Sequence, residues 1–194
     1  MTNRIIRVFG ADPSLLAFGW SVIDYDTATN HKTVIKYGTI LGKTLLKNQK
    51  DMQSKFAMRY IILWELEQFL IALLQETSPD YVACEGAYSH LYIDSYAALV
   101  MVIQTLRTAV MKTCHDDIYI IAPRESKKAV SHDGNADKIS VQDAIINNPT
   151  ITIRTNKQNP VEKITEHTYD AIAAGIAFIQ NQLPSALASK NLIV

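Results

Sequence analysis

The sequence predicts an α/β fold: one mixed five-stranded sheet flanked by helices on both faces. Three observations predict it. Three strand-like segments near the start follow one another with only polar turns between them. After them, strand-like and helix-like segments alternate, which is the pattern that lays helices over a sheet. No internal repeat or low-complexity tract interrupts the series.

The opening meander comprises Arg4 to Gly10, Gly19 to Tyr25 and Thr33 to Ile40, with Asp26-Thr27-Ala28-Thr29-Asn30 as the turn between the second and third. From about Lys50 to Gln75 the chain has no Gly or Pro. There Phe56, Tyr60, Leu63, Leu66, Phe69, Leu70, Leu73 and Leu74 recur at helical spacing, and Pro79 lies beyond the end. A short strand, Tyr81 to Cys84, follows. Tyr92 to Thr113 reads as a second long helix, apolar on more than one face, and Ile118 to Ala122 as an apolar strand stopped by Pro123. Short helices are expected over Glu125 to Val130 and Asp137 to Asn147, separated by the turn His132-Asp133-Gly134-Asn135. Pro149 to Pro160 is polar and reads as a loop with a short extended piece. The last helix, Thr165 to Gln182, is rich in Ala, Ile and Gly and suits close packing on a sheet; the chain past Pro184 is expected to fray. Residues 1–185 are thus expected to form a single domain, with 186–194 as a short tail.

Composition narrows the function classes. The chain of 194 residues is 48% apolar, with a formal net charge of zero. It can build a sizeable core, and it lacks the uniformly basic coat of a general nucleic-acid binder; a local basic groove is still compatible with that total. Cys84 and Cys114, the only two thiols, match no metal-ligand spacing and suit a reducing cytosol. Met1-Thr2-Asn3-Arg4 runs into the first strand without a signal-peptide apolar region, and the apolar stretches are broken by Glu65, Glu67 or Arg107. A cytoplasmic protein without membrane contact is expected.

The chemistry sits in three separated acids. Asp12 ends the first apolar strand, Glu85 ends Tyr81-Val82-Ala83-Cys84, and Asp170 lies at the start of the last helix with His167 three residues before it, on the same helical face. Any one of them alone reads as a solvated loop acid. Placed together on two strand ends and a helix start, they suggest a site for divalent metal ions.

Four motifs carry a family resemblance. They are Gly10-Ala11-Asp12-Pro13-Ser14 with Phe18-Gly19-Trp20-Ser21-Val22-Ile23; Glu85-Gly86-Ala87-Tyr88; Lys127-Lys128-Ala129-Val130 with Gly134-Asn135-Ala136-Asp137-Lys138 and Val141-Gln142; and His167-x-x-Asp170-Ala171-Ile172-Ala173-Ala174. Their order and spacing resemble those of the RuvC-type Holliday junction resolvases, members of the RNase H-like (retroviral integrase) superfamily. Short divergent motifs and small size suit a phage-type member, in a bacterial nucleoid or the cytosol of an infected cell. One departure stands out: many relatives have a second aspartate where this chain has His167, although some carry histidine.

The resemblance implies a crossover junction endodeoxyribonuclease that nicks opposed strands of a four-way DNA junction, leaving 5′-phosphate and 3′-hydroxyl ends. It implies two ions per site, Mg2+ or Mn2+, with Asp12 bridging, Glu85 and Asp170 flanking, and His167 either a ligand or acting on the attacking water. Imidazole shifts the preference toward Mn2+. Lys138 is the residue the pattern places beside the scissile phosphate. Lys127, with Lys128 as its neighbour, is the second cation for DNA, and Gly134 lets the turn approach the DNA backbone. Tyr88 is a candidate to stack on bases at the branch point or, equally, a core tyrosine; Tyr92 and Tyr96 read as packing. A two-fold junction calls for a homodimer. The helix Tyr92 to Thr113, through Leu99, Val100, Ile103, Leu106 and Val110, is either its interface or a buried core helix. Two further readings compete: a broader branched-DNA or flap endonuclease of the same fold, and a non-catalytic junction-binding protein. An actin-like ATPase ranks last, because seven glycines in all, none clustered, leave no phosphate cradle.

Overall fold

In the computed structural model the described residues are 4–47, 49–88, 93–113, 117–155 and 164–190. The meander forms β1 (Ile5–Asp12), β2 (Ala17–Asp26) and β3 (His31–Leu41), all antiparallel. Short helices α1 (Gly42–Leu45) and α2 (Lys50–Gln53) lead to the long α3 (Met58–Thr77), and then β4 (Tyr81–Glu85) pairs parallel with β1. The long helix α4 (Ile93–Thr113) and β5 (Ile118–Ile121) follow, then α5 (Pro123–Ser131), α6 (Lys138–Ile146), β6 (Ile151–Ile153), α7 (Glu166–Asn181) and α8 (Leu183–Lys190). The sheet has six strands in the order β5-β4-β1-β2-β3-β6.

Three expectations change in detail. The sixth strand lies in the segment read as mostly loop: Ile151–Ile153 pairs parallel with Lys32–Val34 on the free edge of β3. The helix expected from Lys50 onward is broken, because Ala57 is extended at φ −64° and ψ 139° and α3 begins afresh at Met58. The stretch past Pro184, expected to fray, is helical as α8, with Leu183 and Ala186 buried against α7 and the strands. No helix among the described residues is long and apolar enough to cross a membrane.

Alternation along β1 and β4 supplies both faces of the core, as expected for central strands covered on two sides. Val8, Tyr81 and Ala83 join α5, α6, α7 and α8 on one face, while Phe9, Ala11, Val82 and Cys84 join α3 and α4 on the other. The same alternation aims Asp12 and Glu85. Asp12 follows Val8 and Gly10, and Glu85 follows Tyr81 and Ala83, so both carboxyl groups leave the sheet on the α7 face. The pairing of Ala11 with Cys84 places the two acids one step further along neighbouring strands.

Helix α4 divides as well. Val102, Ile103, Leu106, Ala109 and Val110 are buried, so Ile103, Leu106 and Val110, expected as interface candidates, belong to the core of this chain. Ile93, Tyr96 and Val100, at one-turn spacing, form the outer face at 88%, 46% and 43% exposure. Tyr96 is therefore not a packing residue of the core, and Tyr92 lies outside the described residues.

Candidate active site

Two glycines let α7 lie directly on the sheet beneath the acids. A β-carbon on Gly10 would stand 2.1 Å from the Ala171 carbonyl oxygen, and one on Gly19 would stand 2.0 Å from the His167 carbonyl oxygen. Gly19 pairs with Asp12 on one side and Thr39 on the other. Around this contact the Ser21 hydroxyl donates to the Ala171 carbonyl at 3.2 Å, and the Thr39 hydroxyl lies 3.0 Å from that of Thr168. Thr165 caps α7 by accepting from the Thr168 amide. The start of α7 is thereby fixed over the ends of β1, β2 and β3, which carries His167 and Asp170 to Asp12.

His167 Nδ1 lies 2.7 Å from Asp12 Oδ2. This bond, more than the Asp12 charge as such, raises the imidazole pKa above its ordinary value. Burial, then the negative charges of Asp12 and Asp170, push the Glu85 carboxyl up to about 8, with Lys127 and Ser126 opposing. Burial and then Asp12 push Asp170 up to about 6, against the pull of Lys138 and His167. The four groups expected to share a site are thus brought together, and their carboxyl groups repel.

Lys138, at the start of α6, forms a 2.6 Å ion pair with Glu166, and its charge is felt by Asp170 and Asp12. Glu166 was not anticipated; its sequence signal was its position directly before His167, in the first turn of the helix. The lysine pair separates. Lys127 donates from Nζ to the Ala136 carbonyl at 2.8 Å and faces Glu85, whereas Lys128 turns to a surface cleft with Glu125, Gln180 and Asn181, at the far end of α7. Gly134 is needed for a different approach from the one expected. The left-handed residue of that turn is His132, at φ 63°, and a β-carbon on Gly134 would come within 3.1 Å of the Arg124 carbonyl oxygen. Tyr88 is 64% exposed beyond Glu85, so it is not a core tyrosine.

Among the described residues, no three His, Cys, Asp or Glu side chains already stand as a ligand set around one ion. The donor chemistry nevertheless fits a hard divalent cation: three carboxyl groups and one imidazole, with the carboxyl groups held at a mutual electrostatic cost that a cation would remove. That cost makes a prediction. Glu85, Asp170 and His167 all have folded-state pKa values raised above the unfolded ones. Their stabilising contribution is full below the unfolded values and is lost as pH climbs through the folded ones, so the part owed to Asp170 and Glu85 fades from about pH 3.8 to about 8. Chelated protein should melt several degrees lower at pH 8 than at pH 6, and Mn2+ should raise the melting temperature most at pH 8. A pH-independent melt, or no shift with metal, would count against the site.

The family model that matches this chain is described as "Crossover junction endodeoxyribonuclease RuvC" and covers residues 8–178. A curated relative of that name from Azorhizobium caulinodans is 26% identical over 189 residues, 96% of this chain and 97% of its own length. Another, from Caldicellulosiruptor saccharolyticus, is 29% identical over 140 residues, 71% of this chain and 75% of its own. Among solved structures, the fold is similar to Thermus thermophilus RuvC in complex with a Holliday junction substrate, at TM-score 0.69 and 16% identity, covering 90% of this chain and 93% of that one. It is also similar to the yeast mitochondrial Holliday junction resolvase Ydc2, at TM-score 0.64 and 13% identity, covering 97% and 85%.

Proposed function

Because the chain belongs to the family of the crossover junction endodeoxyribonuclease RuvC, we propose that it resolves four-way (Holliday) DNA junctions by paired hydrolytic nicks made at the Asp12 cluster. The observation that carries this reading is convergence on Asp12: His167 lies 2.7 Å from it, and its charge adds to burial in raising both Glu85 and Asp170.

The family depends on divalent metal. Bound at this cluster, a pair of Mg2+ or Mn2+ ions would activate a water and neutralise charge on the leaving oxygen. Asp12 would be the central ligand, since it is the acid both others sense, and its place at the end of a central strand fixes it most firmly. Glu85 and Asp170 flank it. His167 holds Asp12 through its Nδ1, and the ring would serve as a further ligand to a bound cation or as the acceptor of a proton from the attacking water. Lys138 and Glu166 form an exposed pair, and such pairs contribute little. A DNA phosphate can therefore take the place of Glu166 and bring Lys138 Nζ to the reacting phosphate. Lys127 supports the α5–α6 turn and adds positive charge facing Glu85, Gly134 lets that turn close on α5, and Lys128 reaches DNA only beyond the α7 end. Tyr88, exposed past Glu85, stacks on a base where the branch point interrupts stacking.

The chain acts as a single domain that takes in α8, and as a homodimer. The outer face of α4, with Ile93, Tyr96 and Val100, meets a second copy, so that two sites address opposed strands. Side-by-side cleavage of a synthetic four-way junction, a fork, a flap and a linear duplex, titrated with Mg2+ and Mn2+, tests the assignment. Symmetric nicks confined to the junction are expected. Equal cutting of the flap would favour the broader branched-DNA nuclease.

A further inference from the structure

Helix α5 starts two residues after β5, and β5 pairs its last residue, Ile121, with Glu85. Ser126, one turn into that helix, is 1% exposed, and its hydroxyl is the one buried side-chain oxygen or nitrogen among the described residues without a hydrogen bond. Buried polar atoms are rarely left so.

The usual solution is at hand and not taken. In the helices of this chain Thr77, Thr105, Thr108, Thr113, Ser131 and Ser189 each turn the hydroxyl back onto the carbonyl four residues earlier. For Ser126 that carbonyl is Ala122, which receives the Glu125 and Ser126 amides but not the Ser126 hydroxyl. The hydroxyl instead faces the Glu85 carboxyl, whose ionised form it favours, without a hydrogen bond to it.

We infer that Ser126 is a positioning residue for Glu85: its hydroxyl donates to one carboxylate oxygen when Glu85 takes hold of a divalent cation, leaving the other oxygen aimed at the ion. The inference rests on the metal-dependent reading above. A donor reserved for that carboxylate explains a buried hydroxyl that forms no other hydrogen bond and that alanine would avoid. Such outer partners of metal ligands set both the orientation and the affinity of the ligand.

The test is calorimetric titration of the DNA-free protein with Mn2+, with melting of the same samples in chelator. Ser126→Ala should weaken Mn2+ binding about tenfold, while its metal-free melting temperature stays level or rises, because an unpaired buried hydroxyl has been removed. Ser126→Thr, which keeps the hydroxyl, should bind within about twofold of wild type. Junction affinity measured in chelator should not change in either variant. A Ser126→Ala protein that binds Mn2+ as wild type does overturns the inference and leaves the metal site standing; a lowered melting temperature with unchanged Mn2+ affinity would mark Ser126 as packing only and overturn it too. A folded wild type that binds no Mn2+ overturns this inference together with the reading it rests on.

Discussion

Asp12→Asn is expected to abolish junction cleavage, by roughly a thousandfold or more, while leaving junction binding in chelator intact. The substitution keeps the shape of the side chain and removes its charge. It therefore strikes the group that His167 holds at 2.7 Å and whose charge, after burial, raises both Glu85 and Asp170. Loss of the bond to His167 removes stability, and loss of the repulsion restores some, so the folded state should change little. Metal dependence should change most: with the Asp12 charge gone, Glu85 titrates lower and the melting-temperature gain with Mn2+ shrinks. Single-turnover cutting of a synthetic four-way junction, with gel-shift binding beside it, measures both halves. Cleavage that survives would remove Asp12 from the chemistry and, with it, the proposed site.

The positions of the acids were legible in the sequence because strand alternation and helix spacing are local rules. Val8-Gly10-Asp12 and Tyr81-Ala83-Glu85 specify a face by counting twos, and His167 with Asp170 specify one by a single turn. What joined the two sides of the site was not legible, since it depends on the distance between backbones. Gly10 and Gly19 read as motif residues, yet their physical role is to let the α7 carbonyls approach the sheet to where a β-carbon cannot stand. Glu166 was hidden for a related reason: its pairing with Lys138 joins two helix starts far apart in the chain. The short extended piece expected between Pro149 and Pro160 could not be placed in the sheet, because three residues of an edge strand show no periodicity, and only the open edge of β3 makes Ile151–Ile153 a strand. The burial of α8 likewise depends on a surface that the rest of the fold creates.

Gly19→Ala is the second large effect expected, and it separates geometry from chemistry, since it removes no functional group. The new β-carbon would stand 2.0 Å from the His167 carbonyl oxygen, 2.4 Å from its carbon and 2.9 Å from its β-carbon. The first two are backbone atoms, so no rotamer change relieves the clash, and α7 must lift by about 1 Å. That shift loosens the hydroxyl contacts from Thr39 to α7 and draws His167 away from Asp12, whose strand is paired with Gly19 itself. Overpacking of this kind costs about 1–3 kcal/mol, which for a domain of this size is a melting decrease of several degrees. A misplacement near 1 Å also costs about a hundredfold in rate, so kcat should fall with it. Gly38→Ala is the control. The three atoms nearest its β-carbon all belong to the Trp20 ring, at 3.1–3.2 Å, and none to the backbone of α7, so it should lose some stability and retain its rate. Should Gly19→Ala cut junctions at the wild-type rate, the close seat of α7 on the sheet is not what aims His167 and Asp170, and the site must tolerate a looser approach than its geometry implies.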